Sequence, residues 1–99
     1  MKPALFHEDA EAELKAAVAF YETKSAGLGL DLEARTRHAV REIEERPEGF
    51  PFHRVPPIRK HHLRRFRYTV FYLVLPDTVW ILALAHNRQR PDYWRSRLV

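Results

Sequence analysis

The chain contains no cysteine, and that absence excludes two classes of small protein. Among its 99 residues there are also only one methionine and three glycines. Without cysteine the chain can form neither a disulfide framework nor a zinc site built on thiolates. The lack of cysteine also fits a reducing compartment, so we expect the protein to be cytoplasmic.

Long apolar runs are absent as well. No segment approaches the roughly 18 to 20 consecutive apolar residues that a membrane-spanning helix needs. The N-terminal segment turns acidic at Glu8 and Asp9, before an apolar stretch of signal-peptide length has formed. We therefore expect no signal peptide, no membrane span and no membrane partner.

The residues that are present suit one folded domain. Hydrophobic residues make up 45% of the chain and charged residues 30%, a balance typical of a globular domain and not of a disordered segment. A chain of this length provides one hydrophobic core but not two. We expect a single domain over residues 1–99.

The charge is distributed unevenly along the chain. Residues 1–50 contain seven Lys or Arg and eleven Asp or Glu, whereas residues 51–99 contain ten and two. The two halves therefore carry −4 and +8, which gives the net charge of +4. A strongly basic half predicts a polyanionic or acidic partner for that half.

Apolar spacing in the first half predicts a strand and two helices. The short apolar run at residues 3–6 is typical of an edge strand with proline at its start. From Glu8 the apolar residues recur every three or four positions, which predicts a helix that begins in an acidic first turn. Two glycines at residues 26–29 end this helix, and the same spacing resumes as far as Arg46. We therefore expect a helical hairpin.

The second half predicts a connection and then a sheet. Residues 47–57 contain four of the seven prolines, which favours an irregular surface segment. Strand candidates follow at residues 58–66, 68–75 and 78–86, the last two rich in β-branched and aromatic residues. This pattern predicts an antiparallel meander covered by the helical hairpin on one face. Pro91 suits the first turn of a short terminal helix.

Basic residues cluster on the first of these strands and after the last. Strand alternation places Lys60, His62 and Arg64 on one face. Any one of these residues is also explained by a structural role, because charged side chains on an edge strand discourage pairing with another chain. Further arginines follow the third strand, at Arg88, Arg90, Arg95 and Arg97. The whole set exceeds what solubility requires and favours recognition of phosphate or carboxylate groups.

The histidines raise the questions of metal binding and catalysis. His61 and His62 are adjacent in a strand and point to opposite faces, so they cannot share one ion, and we predict no metal site and no cofactor. Cleavage of RNA without a metal needs a base, an acid and cations. Residues of the right types are Lys60, His62, His86, Arg88 and Tyr93. For His86 and Tyr93, a role in packing at the end of a strand explains their presence as well as catalysis does. For Trp94, two roles are open: it stacks on bases or it caps the core.

Several short motifs occur in a recognisable order. They are FH at 6–7, AEAEL at 10–14, FYE at 20–22, GLG at 27–29, RFRY at 65–68 and AHNRQRPDYW at 85–94. In this order the chain resembles the RelE/ParE family of toxins from bacterial type II toxin–antitoxin modules, and its ending resembles the ParE-like plasmid-stabilisation branch more than RelE. The resemblance implies an α+β fold: an N-terminal strand, a helical hairpin and a three-stranded antiparallel meander, with the helices packed on the sheet.

The resemblance also implies a function and a partner. Toxins of this family halt growth, either by poisoning DNA gyrase (ParE) or by cleaving mRNA in the ribosomal A site (RelE), and a co-encoded antitoxin neutralises them. We expect a hetero-oligomer with an antitoxin that contributes an acidic amphipathic segment. The apolar helix residues expected to contact it are Leu14, Val18, Tyr21, Val40 and Ile43.

Two departures from the RelE pattern bear on the target. Lys60 and Arg88 match basic positions of the mRNA-cleaving relatives, and His62 replaces a lysine. Thr69, however, stands where RelE has a catalytic arginine, and Trp94 stands where it has a terminal tyrosine. We therefore expect a ParE-like toxin that binds gyrase or a similar target. The expected target-binding residues are Arg65, Arg88, Arg90, Tyr93, Trp94 and Arg95.

Two other functions remain open from the sequence. The first is a RelE-like, ribosome-dependent mRNA endonuclease, which would be a metal-independent endoribonuclease. The second is a non-toxic module that binds a partner or nucleic acid. The first shares its fold with a gyrase-binding toxin, so fold alone does not separate them.

Overall fold

Two helices form the hairpin expected from the apolar spacing. The structure, a computed structural model, describes residues 1–54 and 56–98. Helix α1 covers Glu8–Lys24 and helix α2 covers Leu28–Glu45. At the start of α1 the Asp9 N–H donates to His7 Nδ1 at 3.0 Å, which satisfies one free donor of the first turn. Neither described helix is long and apolar enough to cross a membrane.

The turn between the helices depends on two glycines. Gly27 has a φ of 86°, a left-handed conformation that costs glycine little. A Cβ atom on Gly29 would lie 2.1 Å from the Val18 carbonyl oxygen, so only glycine allows the helices to approach this closely. The Glu22 carboxylate accepts hydrogen bonds from the Gly27 and Leu30 N–H groups at 3.1 and 3.0 Å. These contacts fix how α2 leaves α1.

Four strands form one sheet. They are β1 (Ala4–Phe6), β2 (Arg59–His62), β3 (Tyr68–Val74) and β4 (Val79–His86), in the spatial order β1-β4-β3-β2. Strand β1 pairs parallel to β4, and the other neighbours are antiparallel. The α+β class and the three-stranded meander expected from the sequence are confirmed.

Strand β2 is shorter than predicted. The sequence predicted a strand over residues 58–66, but pairing with β3 ends at His62. Arg65 has a φ of 77°, a left-handed conformation that turns the chain out of the sheet. The terminal helix also differs from the prediction, because it is a 3₁₀ turn over Arg95–Leu98 and residues 91–94 form turns. In the connection at 47–57, Val55 lies outside the described residues, as does Val99.

The two faces of the sheet carry separate apolar clusters. The helices cover one face, where residues such as Leu14, Leu32 and Ile43 pack against β3 and β4. On the other face Trp94 packs with Ile58, Leu82 and Ala83. A bulge in the β3–β4 pairing brings both Leu82 and Ala83 to this face. The segment after β4 therefore acts as a cover for the second face.

Candidate functional site

Sheet topology brings two basic loops to one end of the sheet. Because β3 is antiparallel to both β2 and β4, the β2–β3 loop and the segment after β4 lie at the same end of the sheet. The Asn87 N–H donates to the Arg67 carbonyl oxygen at 2.9 Å and ties the two segments together. We call this surface the basic end. It consists of Arg64, Arg65, Arg67, Arg88 and Arg90, all of them exposed.

Most cations of the basic end are not neutralised by neighbouring acids. Arg65 pairs with Asp31 on α2. Among the described residues, no Asp or Glu side chain lies within 4 Å of the charged groups of the other four arginines. Some arginines elsewhere, such as Arg37 and Arg97, are paired with Glu33 and Glu13. The basic end therefore brings four arginines without an acidic partner among the described residues together on two adjoining loops.

His62 lies beside the basic end in a chain of hydrogen bonds. Its Nδ1 is 2.7 Å from the hydroxyl of buried Thr69, and that hydroxyl lies 3.5 Å from Asn87 Oδ1. Burial, followed by the positive charge of Lys60, lowers the pKa of His62. Both effects favour the neutral imidazole. Thr69 supplies a hydroxyl here and no positive charge.

His86 lies on the other face of the sheet from His62. In the β3–β4 pair His86 lies opposite Tyr68, and in the β2–β3 pair His62 lies opposite Thr69. Because Tyr68 and Thr69 are adjacent in β3, the two histidines project to opposite faces. His86 packs edge to face on Tyr68 and its Nδ1 accepts the Arg88 N–H at 3.0 Å. The structure thus gives His86 a packing and turn-forming role and does not bring the two histidines together.

Tyr93 takes part in a half-buried hydrogen-bond network with Glu13 on α1. Its hydroxyl donates to the Glu13 carboxylate, which also accepts two hydrogen bonds from Arg97 and one from the Leu84 N–H. Burial and the bond to Glu13 raise the pKa of Tyr93 well above its usual value. Both effects disfavour loss of the Tyr93 proton, and the candidate catalytic residues do not lie at one point.

Trp94 is a core residue, which corrects its expected part in target binding. Its side chain is 1% exposed and stacks on Phe71 with ring centroids 4.7 Å apart. Together with Ile58 it covers Leu82 and Ala83 on this face of the sheet. Neighbouring Arg95 is paired with Asp92 at 3.5 Å. Of the expected target-binding residues, Arg88 and Arg90 are the exposed cations without an acidic partner among the described residues.

A cleft of about 220 Å³ lies between β3, β4 and the segment after β4. We call it the C-terminal cleft. Its wall is aromatic, with Phe71 and Trp94, and its rim is polar, with Asn87, Gln89 and Arg90. Thr69, His53 and Asp92 also line it. His53 Nε2 donates to Asp92 Oδ1 at 2.8 Å, and this bond lowers the pKa of Asp92. The sequence did not indicate the cleft, because its walls come from separate segments.

His61 also has a structural partner that the sequence did not indicate. His61 Nε2 lies 2.9 Å from Glu42 Oε1 on α2, and its ring stacks on Phe50 at 3.9 Å. The bond to His61 lowers the pKa of Glu42. His61 therefore ties the edge strand to α2. Among the described residues, no three His, Asp or Glu side chains are placed to hold a metal ion.

The helix residues expected to contact an antitoxin lie mostly in the core. Leu14, Val40 and Ile43 are buried, so they contact the protein's own sheet and helices and offer no surface to a partner. Val18 and Tyr21 are half-buried. An apolar groove lies beside α1, and Phe20 is its most exposed large residue. The groove, here called the α1 groove, is lined by Ala16, Ala17, Phe20, Tyr68 and Leu84 with Glu13 and Gln89.

Comparison with known proteins agrees with the fold and the motif order. The model of the ParE toxin family, from the type II toxin–antitoxin system parDE, matches residues 4–91. The chain belongs to this family. A solved structure described as a chromosomal ParDE TA system from P. aeruginosa superposes on this ParE-type toxin with a TM-score of 0.77. That match has 19% sequence identity and covers 87% of this chain and 96% of the other. No curated protein matches.

Proposed function

We propose that this ParE-type toxin arrests growth by binding DNA gyrase in the cytoplasm, and that a co-encoded antitoxin neutralises it. The observation that carries the proposal is the basic end. Its four arginines without acidic partners among the described residues stand on two loops that the Asn87–Arg67 hydrogen bond holds together. A rigid, charged surface of this kind is sufficient for a toxin that acts by binding.

The same geometry argues against mRNA cleavage. A metal-free ribonuclease needs an acid, a base and several cations around one phosphate, and loss of one stabilising donor costs on the order of 10²–10³ in rate. Here His62 and His86 are on opposite faces, and Tyr93 is bound to Glu13. Thr69 contributes no cation. Binding to a large enzyme requires none of these groups to transfer a proton.

The antitoxin segment is proposed to lie in the α1 groove. Phe20 provides an exposed apolar anchor there, and the Lys24 ammonium lies 4.9 Å from the centre of its ring. The groove continues to Tyr68 and Gln89, which border the basic end. An amphipathic segment with acidic residues can therefore bury its apolar side against Phe20 while its carboxylates approach the arginines. Such a segment would cover the surface that the target needs.

A supercoiling assay tests the choice of target. Purified toxin is added to gyrase and relaxed plasmid, and in parallel to ribosomes that hold an mRNA. We expect loss of supercoiling and intact mRNA. Codon-specific cuts in the A site with unchanged supercoiling would show that the toxin is an endonuclease.

A further inference from the structure

A second cleft, of about 190 Å³, lies between α2 and the β2 edge of the sheet. We propose that this space, here called the α2–β2 cleft, binds a small phosphate group, either inorganic phosphate or the phosphate of a small monoester. The inference goes beyond the proposed action on gyrase, because it concerns a ligand of the toxin alone. Two of the lining residues are apolar, Ala39 and Phe50. The others are charged or titratable: Arg35, His38, Glu42 and Arg46 of α2 and its C-terminal end, His61 and His62 on β2, and Arg64 on the β2–β3 loop.

Helical spacing puts the polar lining residues of α2 on one side of the helix. Arg35, His38, Glu42 and Arg46 are separated by three, four and four positions, so their side chains project in similar directions. Ala39 lies on this side too and is buried. Because its side chain is only a methyl group, it leaves space between the helix and the strand. The cleft therefore has charged side chains around an open centre.

Glu42 is the single carboxylate among the lining residues, and its charge is already matched. Its Oε1 lies 2.9 Å from His61 Nε2, and its Oε2 lies 3.8 Å from His38 Nε2. The hydrogen bond from His61 lowers the pKa of Glu42, and the charges of His61, His38 and Arg64 act in the same direction. Groups from α2, β2 and the β2–β3 loop thus face one carboxylate.

The arginines supply more positive charge than Glu42 balances. Arg35 lies 3.7 Å from Asp31, an acid outside the lining of the cleft. No described Asp or Glu side chain lies within 4 Å of the charged groups of Arg46 and Arg64. Three guanidinium groups and one carboxylate line the cleft, and this balance gives a positive potential that favours an anion.

Phosphate suits the cleft better than a carboxylate or a ring system does. Arginine binds phosphate oxygens through planar, two-pronged hydrogen bonds, and a tetrahedral anion can meet donors on both walls at once, whereas a carboxylate is planar and has two oxygens. The Phe50 ring is already occupied, because His61 stacks on it at 3.9 Å and the Arg46 guanidinium carbon lies 5.5 Å from its centre. The cleft is also smaller than the roughly 300–1,000 Å³ of sites for drug-sized ligands.

An NMR titration of isotope-labelled, full-length toxin with sodium phosphate tests the proposal, with the ionic strength held constant by sodium chloride. We expect saturable shifts of the backbone N–H signals of Ala39, His61 and Arg64, and none at Lys15 on α1. Shifts that do not saturate, or that spread evenly over all exposed cations, would overturn the site. Sodium acetate should bind at least tenfold more weakly. Equal binding of acetate would overturn the choice of phosphate.

Glycerol 3-phosphate separates the two sources of the phosphate group. A monoester site binds it at least as tightly as inorganic phosphate. A site for free phosphate binds it at least tenfold more weakly, because the glycerol group finds no room. Either result supports a phosphate site, whereas binding of neither compound would overturn it.

Two variants of α2 that each lose two positive charges locate the contacts. R35Q/R46Q removes two arginines of the cleft, and R37Q/R41Q removes two that do not line it. The variants are matched, because Arg35 and Arg37 each pair with an acid four positions earlier, whereas Arg46 and Arg41 have no acidic partner within 4 Å among the described residues. We expect R35Q/R46Q to weaken phosphate binding at least tenfold and R37Q/R41Q less than twofold. Equal losses would overturn the assignment to the cleft.

Glu42→Gln provides a readout that a purely structural role of the cleft residues would not produce. The amide keeps the shape of the side chain and removes the negative charge of the cleft. Phosphate should therefore bind at least threefold more tightly, although the bond to His61 is weaker. Unchanged or weaker binding by the variant, shown to be folded by its circular dichroism spectrum, would overturn the site.

The outcome is independent of the proposed function. Gyrase is absent from the titration, and R35Q/R46Q leaves Arg88 and Arg90 in place. A toxin that inhibits supercoiling but does not bind phosphate would overturn this inference and leave the proposed target standing.

Discussion

Glu13 on α1 and Arg97 at the end of the chain form a two-pronged ion pair. Both terminal nitrogens of Arg97 lie 2.9 Å from the Glu13 carboxylate oxygens, although the residues are 84 positions apart. Arg97 also donates to the Leu82 carbonyl oxygen at 3.0 Å. The pair thereby attaches the segment after β4 to the helix and to the sheet. That segment carries Arg88, Arg90 and the wall of the C-terminal cleft, so the ion pair positions the candidate site.

Glu13→Gln should therefore destabilise the fold. Glu13 accepts bonds from Arg97, Tyr93 and the Leu84 N–H, and hydrogen bonds to charged groups are worth about 1.5–3 kcal/mol each. We expect the free energy of unfolding in urea to fall by about 2 kcal/mol. Glu11→Gln is the control, because its pair with Lys15 is exposed and its loss should cost less than about 0.5 kcal/mol. Equal effects of the two variants would show that the ion pair does not fasten the terminal segment.

Stability should fall in acid, in part through Glu42. The bond to His61 lowers the pKa of Glu42 below its ordinary value of 4.5. A carboxyl whose pKa is lower in the folded state contributes stability above its unfolded pKa and loses it as the pH falls through the folded pKa. Between pH 6 and pH 3 the melting temperature of Glu42→Gln should therefore fall less than that of the wild type. Glu33→Gln, whose partner Arg37 is exposed, should follow the wild type. Parallel curves for all three proteins would contradict the role of Glu42.

The elements that the sequence predicted well are those with a strong local period. Apolar residues three or four positions apart indicated both helices, and the dense β-branched runs indicated β3 and β4 to within one or two residues. The length of strand β2 was overestimated, because the chain turns out of the sheet through the left-handed conformation of Arg65. The parallel pairing of β1 with β4 was not predicted, since no local pattern encodes which strands become neighbours.

The sequence indicated only some of the residues of the candidate site, and the reason is physical. An apolar stripe on a helix shows which face is buried, but not whether the protein's own sheet or a partner covers it. Leu14 and Ile43 were therefore assigned to an antitoxin, although the sheet covers them. Arg88 and Arg90 were proposed because charge density is visible in sequence, and both are exposed; their contact with the target stays a prediction. The Glu13–Arg97 pair was not predicted, because its two residues are 84 positions apart and no local pattern links them.

Phe20→Asp should separate toxicity from neutralisation. Phe20 is 53% exposed and lies in the α1 groove, whereas the arginines proposed to meet the target stand on the two loops of the basic end. A carboxylate at this position removes the apolar anchor and repels an acidic segment. We expect the variant to arrest growth as the wild type does, but to escape co-expressed antitoxin. Leu30→Asp, at an equally exposed apolar residue on α2, should remain neutralised. An antitoxin that silences both variants would place its docking site elsewhere.

Reversal of charge at the basic end should abolish growth arrest without unfolding the toxin. Arg88 and Arg90 are exposed and make no ion pair with a described Asp or Glu side chain, so R88E/R90E removes little that holds the fold together. Its circular dichroism spectrum and melting temperature should match those of the wild type. K15E/K24E makes the same change in net charge on α1 and should stay toxic. Toxicity is scored as colony-forming units after induction, and inhibition as loss of gyrase supercoiling with the same two proteins. If both double variants lose toxicity together while folded, net charge and not the basic end would be what the target recognises.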